Sequence, residues 1–309
     1  MTYVERWTSR AATSRRRLLG WLELAPSKYY QWLDRHAQPP PAPRAAPRDG
    51  WLSAAERQAI LDFHERHPLD GYRRLAYRLL DADLVAASPS TVYRALKAAG
   101  RLDRRWQRPT RKGTGFEQPL APHEHWHLDI SYVNVAGTFY YLASILDGYS
   151  RFLVHHELRT RMTEGEIELL VQRALEAQPG AKPRIITDNG PQFVARDFKE
   201  FVRLMGLTHV RTSPYYPQSN GKLERWHGSL KRERLRPAAP ETLEEARRQV
   251  AGYVQHYNHE RLHGALGYVT PADQLAGRAA QIFTERKRRL DEARRRRRAA
   301  HHEALREVA

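Results

Sequence analysis

"HWHLDISYVNVAGTFYYLASILD", residues 125–147, alternates apolar and polar positions in two runs broken once, at Ala136-Gly137. β-branched and aromatic residues dominate both runs, and a period of two over such residues marks half-buried strands. The Ala-Gly pair is the tight turn of a hairpin. "SRFLVHHEL" (150–158) continues as a third strand. "TEGEIELLVQRALEA" (163–177) changes period and predicts an amphipathic helix capped by Thr163. "RIITDNG" (184–190) is a short buried strand running into a turn, "ARDFKEFVRLMG" (195–206) a helix ended by Gly206, and "THVRT" a short edge strand. A further helix follows in "SNGKLERWHGSLKRERL". The order β-β-β-α-β-α-β-α predicts an α/β fold, a mixed five-stranded sheet with helices on its faces.

Upstream, the chain is helical. "SAAERQAILDFHERHP" opens with Ser53 and Glu56 at capping-box spacing, carries Ile60 and Phe63 on one stripe and stops at Pro68. "GYRRLAYRLL" and "SPSTVYRALKAAG" follow, the latter with Ser88 as cap, Pro89 at the first helical position and Gly100 as terminator. Three short helices with tight turns make a helix-turn-helix unit. Its third helix turns Val92 and Leu96 inward and leaves Ser90, Tyr93, Arg94 and Lys97 outward, as a helix entering a major groove requires. Before it, "RRRLLGWLELAPSKYYQWLDR" (15–35) predicts two more short helices, the second capped by Ser27 with Tyr30 and Leu33 on its packed face. The expected organisation is a helical segment at 1–36, a Pro/Ala linker at 37–50, the helix-turn-helix at 51–100 and a basic linker at 101–118. A catalytic core at 119–236, a helical extension at 237–277 and a basic tail at 278–309 complete it.

The net charge is +17 with pI ≈ 10.3. Residues 1–60, 101–112 and 285–309 each carry a net +5, so basic segments flank a nearly neutral middle. That distribution predicts a polyanion held around a folded core, with Arg104 and Arg105 of the second basic segment among the phosphate contacts. The arginine-rich tail is expected to be a non-specific DNA arm rather than a solvated helix. There is no cysteine, which excludes disulfides and thiolate metal sites and fits a cytoplasmic, nucleoid-associated protein. No apolar run is long enough to cross a bilayer, and the N-terminus lacks the pattern of a signal peptide.

Three carboxylates then converge. Asp129 lies mid-strand, Asp188 at the end of "RIITD", and Glu224 on the basic helix, with 35 residues between the last two. Acids gathered at one locale repel unless cations lie between them. Mg²⁺ takes oxygen ligands from one or two carboxylates plus substrate phosphate. Two such ions about 3.5–4 Å apart serve in-line phosphodiester displacement. Asp129 would bridge the pair, with Asp188 and Glu224 holding one each. Lys231, two turns beyond Glu224, together with Lys222 and Arg225, would meet the DNA backbone, and Gln218 and Asn220 a strand end. Leu223, Trp226 and Leu230 would anchor the helix to the core. The alternating "HEHWH" (123–127) is an ordinary strand entry rather than a metal site.

"HWHLDISYV", "TFYYLASILDGYSR", "IITDNGPQF", "SPYYPQSNGKLERWHGSLKRE" and "YVQHYNHERLHGALGYVTPADQL" resemble the DDE transposase/retroviral integrase core, most closely the OrfB-type catalytic protein of bacterial insertion sequences. The upstream "GYRRLAYRLL…SPSTVYRALKAAG" resembles the helix-turn-helix that precedes that core, and "LAPSKYYQWLDR" its N-terminal stretch. The resemblance implies an RNase H-like fold, Mg²⁺ or Mn²⁺ as a pair of ions, and cutting and joining of double-stranded DNA at terminal inverted repeats and target. It implies Asp129, Asp188 and Glu224 as metal ligands and Lys231 as the basic position after the glutamate. It also implies self-assembly into a multimer, and a possible upstream-frame partner carrying a helix-turn-helix and leucine zipper. The rival reading is a DNA-binding regulator with an inactive RNase H-like core. Mg²⁺-dependent nicking separates the two.

Overall fold

The computed structural model describes residues 2–37, 52–102, 118–211 and 221–307. The chain divides into two units, Met1–Trp51 and Leu52–Ala309. The predicted linkers at 37–50 and 101–118 lie almost wholly outside the described residues.

The first unit is three helices: α1 (Thr2–Arg10), α2 (Arg15–Trp21) and α3 (Pro26–Ala37). Val4, Leu18, Leu19 and Tyr29 form its small core. Two local expectations are corrected. Pro26 opens α3, so Ser27 sits inside the first turn and does not cap it. Tyr29, not Tyr30, is buried (2% against 49% exposed). Tyr29 stands one turn before Leu33 on the stripe that meets Leu18 and Leu19, whereas Tyr30 is rotated by about 100° toward solvent.

In the second unit α4 (Ala54–Arg66), α5 (Tyr72–Asp81) and α6 (Pro89–Ala98) pack around Ile60, Phe63, Leu75, Leu79, Val92 and Leu96. The capping box forms: Ser53 Oγ accepts the Glu56 N–H at 3.1 Å, and the Glu56 carboxylate accepts the Ser53 N–H at 2.9 Å. Ser88 caps α6, Pro89 takes its first position, and Gly100 leaves the helix in the left-handed region at φ +68°.

Five strands follow: β1 (His125–Val135), β2 (Thr138–Asp147), β3 (Leu153–Arg159), β4 (Arg184–Thr187) and β5 (Thr208–Arg211), in the order β3-β2-β1-β4-β5. β1, β2 and β3 are antiparallel, while β4 and β5 run parallel to β1. This is the mixed sheet of an RNase H-like core. Ala136 (φ +48°) and Gly137 (φ +88°) both adopt positive φ at the hairpin tip, as a type I′ turn demands. β3 starts later than its sequence pattern suggests. Asp147 accepts the backbone N–H and hydroxyl of Ser150, which winds 147–151 into a turn.

Alternation divides the core. Trp126, Leu128, Ala143 and Ile145 face α7 (Glu164–Ala177), α8 (Pro191–Val194) and α9 (Arg196–Leu204). α8 is an added turn, absent from the expected element order. Val133, Val135, Leu142 and Leu146 face α10 (Gly221–Leu230) and α12 (Leu243–His259), separated by the short α11 (Arg236–Ala238). At the start of α12, Thr242 and Glu245 have capping-box spacing but form only half of one: Thr242 Oγ1 accepts the Glu245 N–H, while the Glu245 carboxylate reaches the Glu241 N–H.

The helix of Glu224 does not continue uniformly. After α10, residues Lys231–Leu235 form a π-helical turn in which the Arg236 N–H reaches back five residues to Lys231 O. Pro237 has no N–H for the α-helical bond to Glu233 O, which favours the wider register.

α13 (Pro271–Leu275) leads to α14 (Ala279–Glu307), which is formed by the basic tail. Its inward arginines bind the helix-turn-helix. Arg286 forks onto Asp81 at 2.8 and 2.5 Å and donates to Tyr268 O at 2.9 Å. Arg289 donates to Leu80 O, and Arg297 binds Glu56 and Ala86 O. The expected free arm is thus in part an internal strap, because these three guanidiniums meet acids and carbonyls on α4, α5 and the loops beside them.

Candidate active site

Sheet parity builds the site. Asp129 shares its face of β1 with Ser131 and Val133, the face covered by α10. β1 and β4 run parallel with His127 opposite Ile186. Asp129 and Asp188 each lie two residues beyond that rung, Asp129 within β1 and Asp188 just past the end of the neighbouring β4, on backbones spaced about 4.8 Å apart. α10 is seated by Leu223, Trp226 and Leu230, all 0–1% exposed, as their spacing predicts. That leaves Glu224 exposed in the first turn of α10.

Asp129 feels both of the other acids. The Asp129 carboxyl is pushed up to about 7, first by burial, then by the charge of Asp188 and of Glu224. The Ile130 N–H, donated to Asp129 Oδ1 at 2.9 Å, and the Lys231 ammonium oppose that rise. Lys231 donates to Ser131 Oγ at 2.8 Å, which keeps it beside Asp129 at the start of the π turn. Asp188 is exposed, and its Oδ1 accepts the Gly190 N–H at 2.9 Å. A Cβ at position 190 would stand 3.1 Å from that oxygen, so the glycine keeps the carboxylate uncrowded.

His227 was not anticipated from the sequence. One turn beyond Glu224, it is buried, with Nδ1 3.7 Å from Asp129 Oδ2 and Nε2 sharing a 3.2 Å hydrogen bond with Ser144 Oγ. Burial, and secondarily Lys231, pulls its pKa down to about 3, so it faces Asp129 as a neutral ring. Its signal was its spacing of three residues from Glu224, which puts both on one side of the helix.

The acids are in electrostatic reach but not drawn onto a common point. Among the described residues no three His, Asp or Glu side chains stand close enough to ligate one ion. Coulombic coupling extends farther than a ligand bond, so the two observations agree. The donor chemistry fits a hard divalent cation: oxygen ligands only, with a repulsion at Asp129 that positive charge would relieve.

The remaining predicted contacts fall in three places. Lys222 and Arg225 flank Glu224 on α10; Lys222 donates to Gly148 O at 3.0 Å, and burial, then Arg151, lowers its pKa to about 7. Ser90, Tyr93, Arg94 and Lys97 all lie exposed on α6, with Tyr93 packed edge-on to Tyr72. Gln218, Asn220, Arg104 and Arg105 lie outside the described residues. His125 and His127 are buried at the entry to β1 and belong to no metal group among the described residues.

The integrase core domain family matches residues 119–217 in one of its forms and 205–271 in another. Residues 119–271 are an integrase core domain. A protein of insertion element IS476 from Xanthomonas euvesicatoria, described as an uncharacterized 39.2 kDa protein, is 26% identical over 302 residues, spanning 90% of this chain and 86% of its own. The transposase for insertion sequence element IS904 of Lactococcus lactis is 27% identical over 174 residues, 53% of this chain and 69% of that one. Among solved structures, a chain of the simian T-cell lymphotropic virus intasome aligns over 70% of this chain and 74% of its own, at 21% identity and a TM-score of 0.46. Asp129 and Asp188 fall inside the first matched segment, and α10 with Glu224 inside the second.

Proposed function

We propose that this protein is the transposase of an insertion sequence, which cleaves DNA strands at its element's terminal inverted repeats and transfers them to a target. The observation that carries this reading is the placement of Asp129 in an integrase core where the charges of Asp188 and Glu224 both press on its carboxyl. These three carboxylates would hold Mg²⁺ or Mn²⁺, two ions per site. When bound, such ions supply the positive charge that stabilises both the attacking and the leaving oxygen of a phosphodiester displacement.

The chain's own groups have separate tasks. Asp129, fixed in β1 between Ser131 and His227, is the rigid member of the set. Glu224 and Asp188 lie at the solvent edge, where a DNA strand enters. Neutral His227 fills the space behind Asp129 without adding a competing charge. Lys231, held by Ser131, faces a strand running along the π turn. The α6 surface of Ser90, Tyr93, Arg94 and Lys97 would read the repeat. Pairing of two ends calls for a multimer, and the chromosome places the work in the cytoplasm, at the nucleoid. Among the described residues no helix is long and apolar enough to cross a membrane.

The test is Glu224→Gln, assayed for strand cleavage and DNA binding on a terminal-repeat duplex with Mg²⁺. Cleavage should fall to background with binding largely retained. Cleavage at the wild-type rate would refute the assignment and favour a regulator with an inert core.

A further inference from the structure

The turn leaving β2 carries an arginine that makes no ion pair among the described residues. Arg151 adopts φ +63°, a left-handed conformation that an arginine does not take without strain, and its N–H is tied to Asp147 O at 2.9 Å. The side chain is half-buried. Its Nε is enclosed without a hydrogen-bond partner, and among the described residues the guanidinium makes no ion pair. Two more cations stand within electrostatic reach: Lys222, half-buried on the first turn of α10, and Arg225, exposed one residue beyond Glu224. Lys222 donates to the carbonyl of Gly148 in that same turn, and among the described residues neither Lys222 nor Arg225 makes an ion pair.

Among the described residues the acid whose charge reaches both Arg151 and Lys222 is Asp147, and it is already committed. Asp147 is fully buried. Its Oδ1 accepts the His123 N–H at 2.8 Å, and its Oδ2 accepts the Ser150 N–H and hydroxyl at 2.7 and 2.5 Å. Nearby arginines show the contrast. Arg261 forks onto Glu233 at 2.9 and 2.7 Å, and Arg74 binds Asp70 at 2.9 Å. Arg261 and Arg74 thus have carboxylates of their own, whereas Arg151, Lys222 and Arg225 make no ion pair among the described residues, although the charges of Lys222 and Arg225 both bear on Arg151.

Burying an unpaired charge beside like charges is unfavourable unless an anion completes the set. A guanidinium fork joined by an ammonium and a second guanidinium suits a tetrahedral oxyanion with several acceptor oxygens. We propose that Arg151, with Lys222 and Arg225, forms a clamp for a backbone phosphate of the DNA strand that lies against Glu224. That the phosphate comes from DNA rests on the proposed function; that the site takes phosphate rests on the geometry alone. The clamp would fix the strand one phosphate away from the carboxylates, through a residue on a rigid sheet turn.

The test uses the full chain in EDTA, so that no cleavage intervenes, with two probes: inorganic phosphate, and a short duplex of arbitrary sequence. At equal ionic strength, phosphate in place of chloride should raise the wild-type melting midpoint by about 3 °C, as millimolar binding at one site implies. Arg151→Gln should lose that shift and melt above the wild type in chloride, since an uncompensated charge has gone. A merely structural Arg151 would give the opposite change in chloride. Arg225→Gln, which alters only an exposed side chain, should fold normally and reduce the phosphate shift. On duplex DNA, Arg151→Gln should lower the slope of log Kd against log salt by about one. Equal phosphate shifts in wild type and both variants would overturn the clamp. A lost phosphate shift with an unchanged DNA slope would overturn its assignment to DNA. Neither outcome depends on cleavage by Glu224, so failure of the clamp and failure of the transposase reading are separable.

Discussion

Glu233 offers the sharpest stability prediction. It sits in the π turn, where Arg261 donates to both its oxygens at 2.9 and 2.7 Å and the Tyr253 hydroxyl donates to Oε2 at 2.8 Å. Burial alone would raise its pKa. The Arg261 hydrogen bonds and charge, with Tyr253 and Arg74, overcome that and hold it at about 2, below the ordinary 4.5. Both partners are well covered, with side chains 13% and 9% exposed. A depressed carboxylate stabilises the folded state fully above its unfolded pKa and loses that contribution as pH falls toward its folded pKa. The difference of about 2.5 units corresponds to about 3 kcal/mol at neutral pH, of which about 1.4 kcal/mol is gone by pH 3.5. Glu233→Gln should therefore be less stable than wild type by about 3 kcal/mol in urea unfolding at pH 7. The gap should narrow steadily from pH 5 downward. A gap that is large but constant between pH 7 and 3.5 would refute the electrostatic account and assign the loss to packing of the π turn.

Two further changes probe the frame around the site. Arg286→Leu removes the fork to Asp81, the bond to Tyr268 O and the contact of the guanidinium with the Tyr77 ring at 4.7 Å. Asp81 is 39% exposed and would regain water, so the loss should be about 2 kcal/mol rather than that of a stranded buried charge. Limited proteolysis should then cut α14 faster, and unchanged cutting would show that Arg289 and Arg297 suffice as the strap. Gly148→Ala would set a Cβ 3.0 Å from His127 Nε2 and 3.2 Å from His125 O, both buried beside β1. A loss of about 1–3 kcal/mol in the denaturant midpoint is expected, and a neutral result would mean that the turn after β2 can shift.

Much of the architecture can be read from short-range pattern. Alternation marks β1 and β2, and the Ala136-Gly137 turn follows from its neighbours. The capping box at Ser53 and Glu56, the Ser88 cap and the inward Val92 and Leu96 all depend on residues within one or two turns. The anchoring of α10 by Leu223, Trp226 and Leu230 is equally local, and it orients Glu224 toward solvent. Where local signals compete, the pattern misleads. Ser27 has the chemistry of a cap, but Pro26 claims the first helical position; Glu245 has the spacing of a capping box, but the Glu241 N–H lies nearer.

Other features depend on contacts between residues far apart in the chain. The parallel register of β1 with β4 sets Asp129 beside the end of β4, where Asp188 follows, and no periodicity within either strand specifies that pairing. His227 becomes the neighbour of Asp129 and Ser144 only once α10 lies across the sheet. Charge is the least legible property of all. In sequence, Arg286, Arg297, Arg261 and Arg151 are four similar arginines in a basic chain. Folding gives the first three carboxylates of their own, on Asp81, Glu56 and Glu233, and leaves Arg151 enclosed without one. Composition sets how many positive charges the chain carries. Which of them stay without a carboxylate among the described residues is decided by the long-range packing that brings acids to some and not to others.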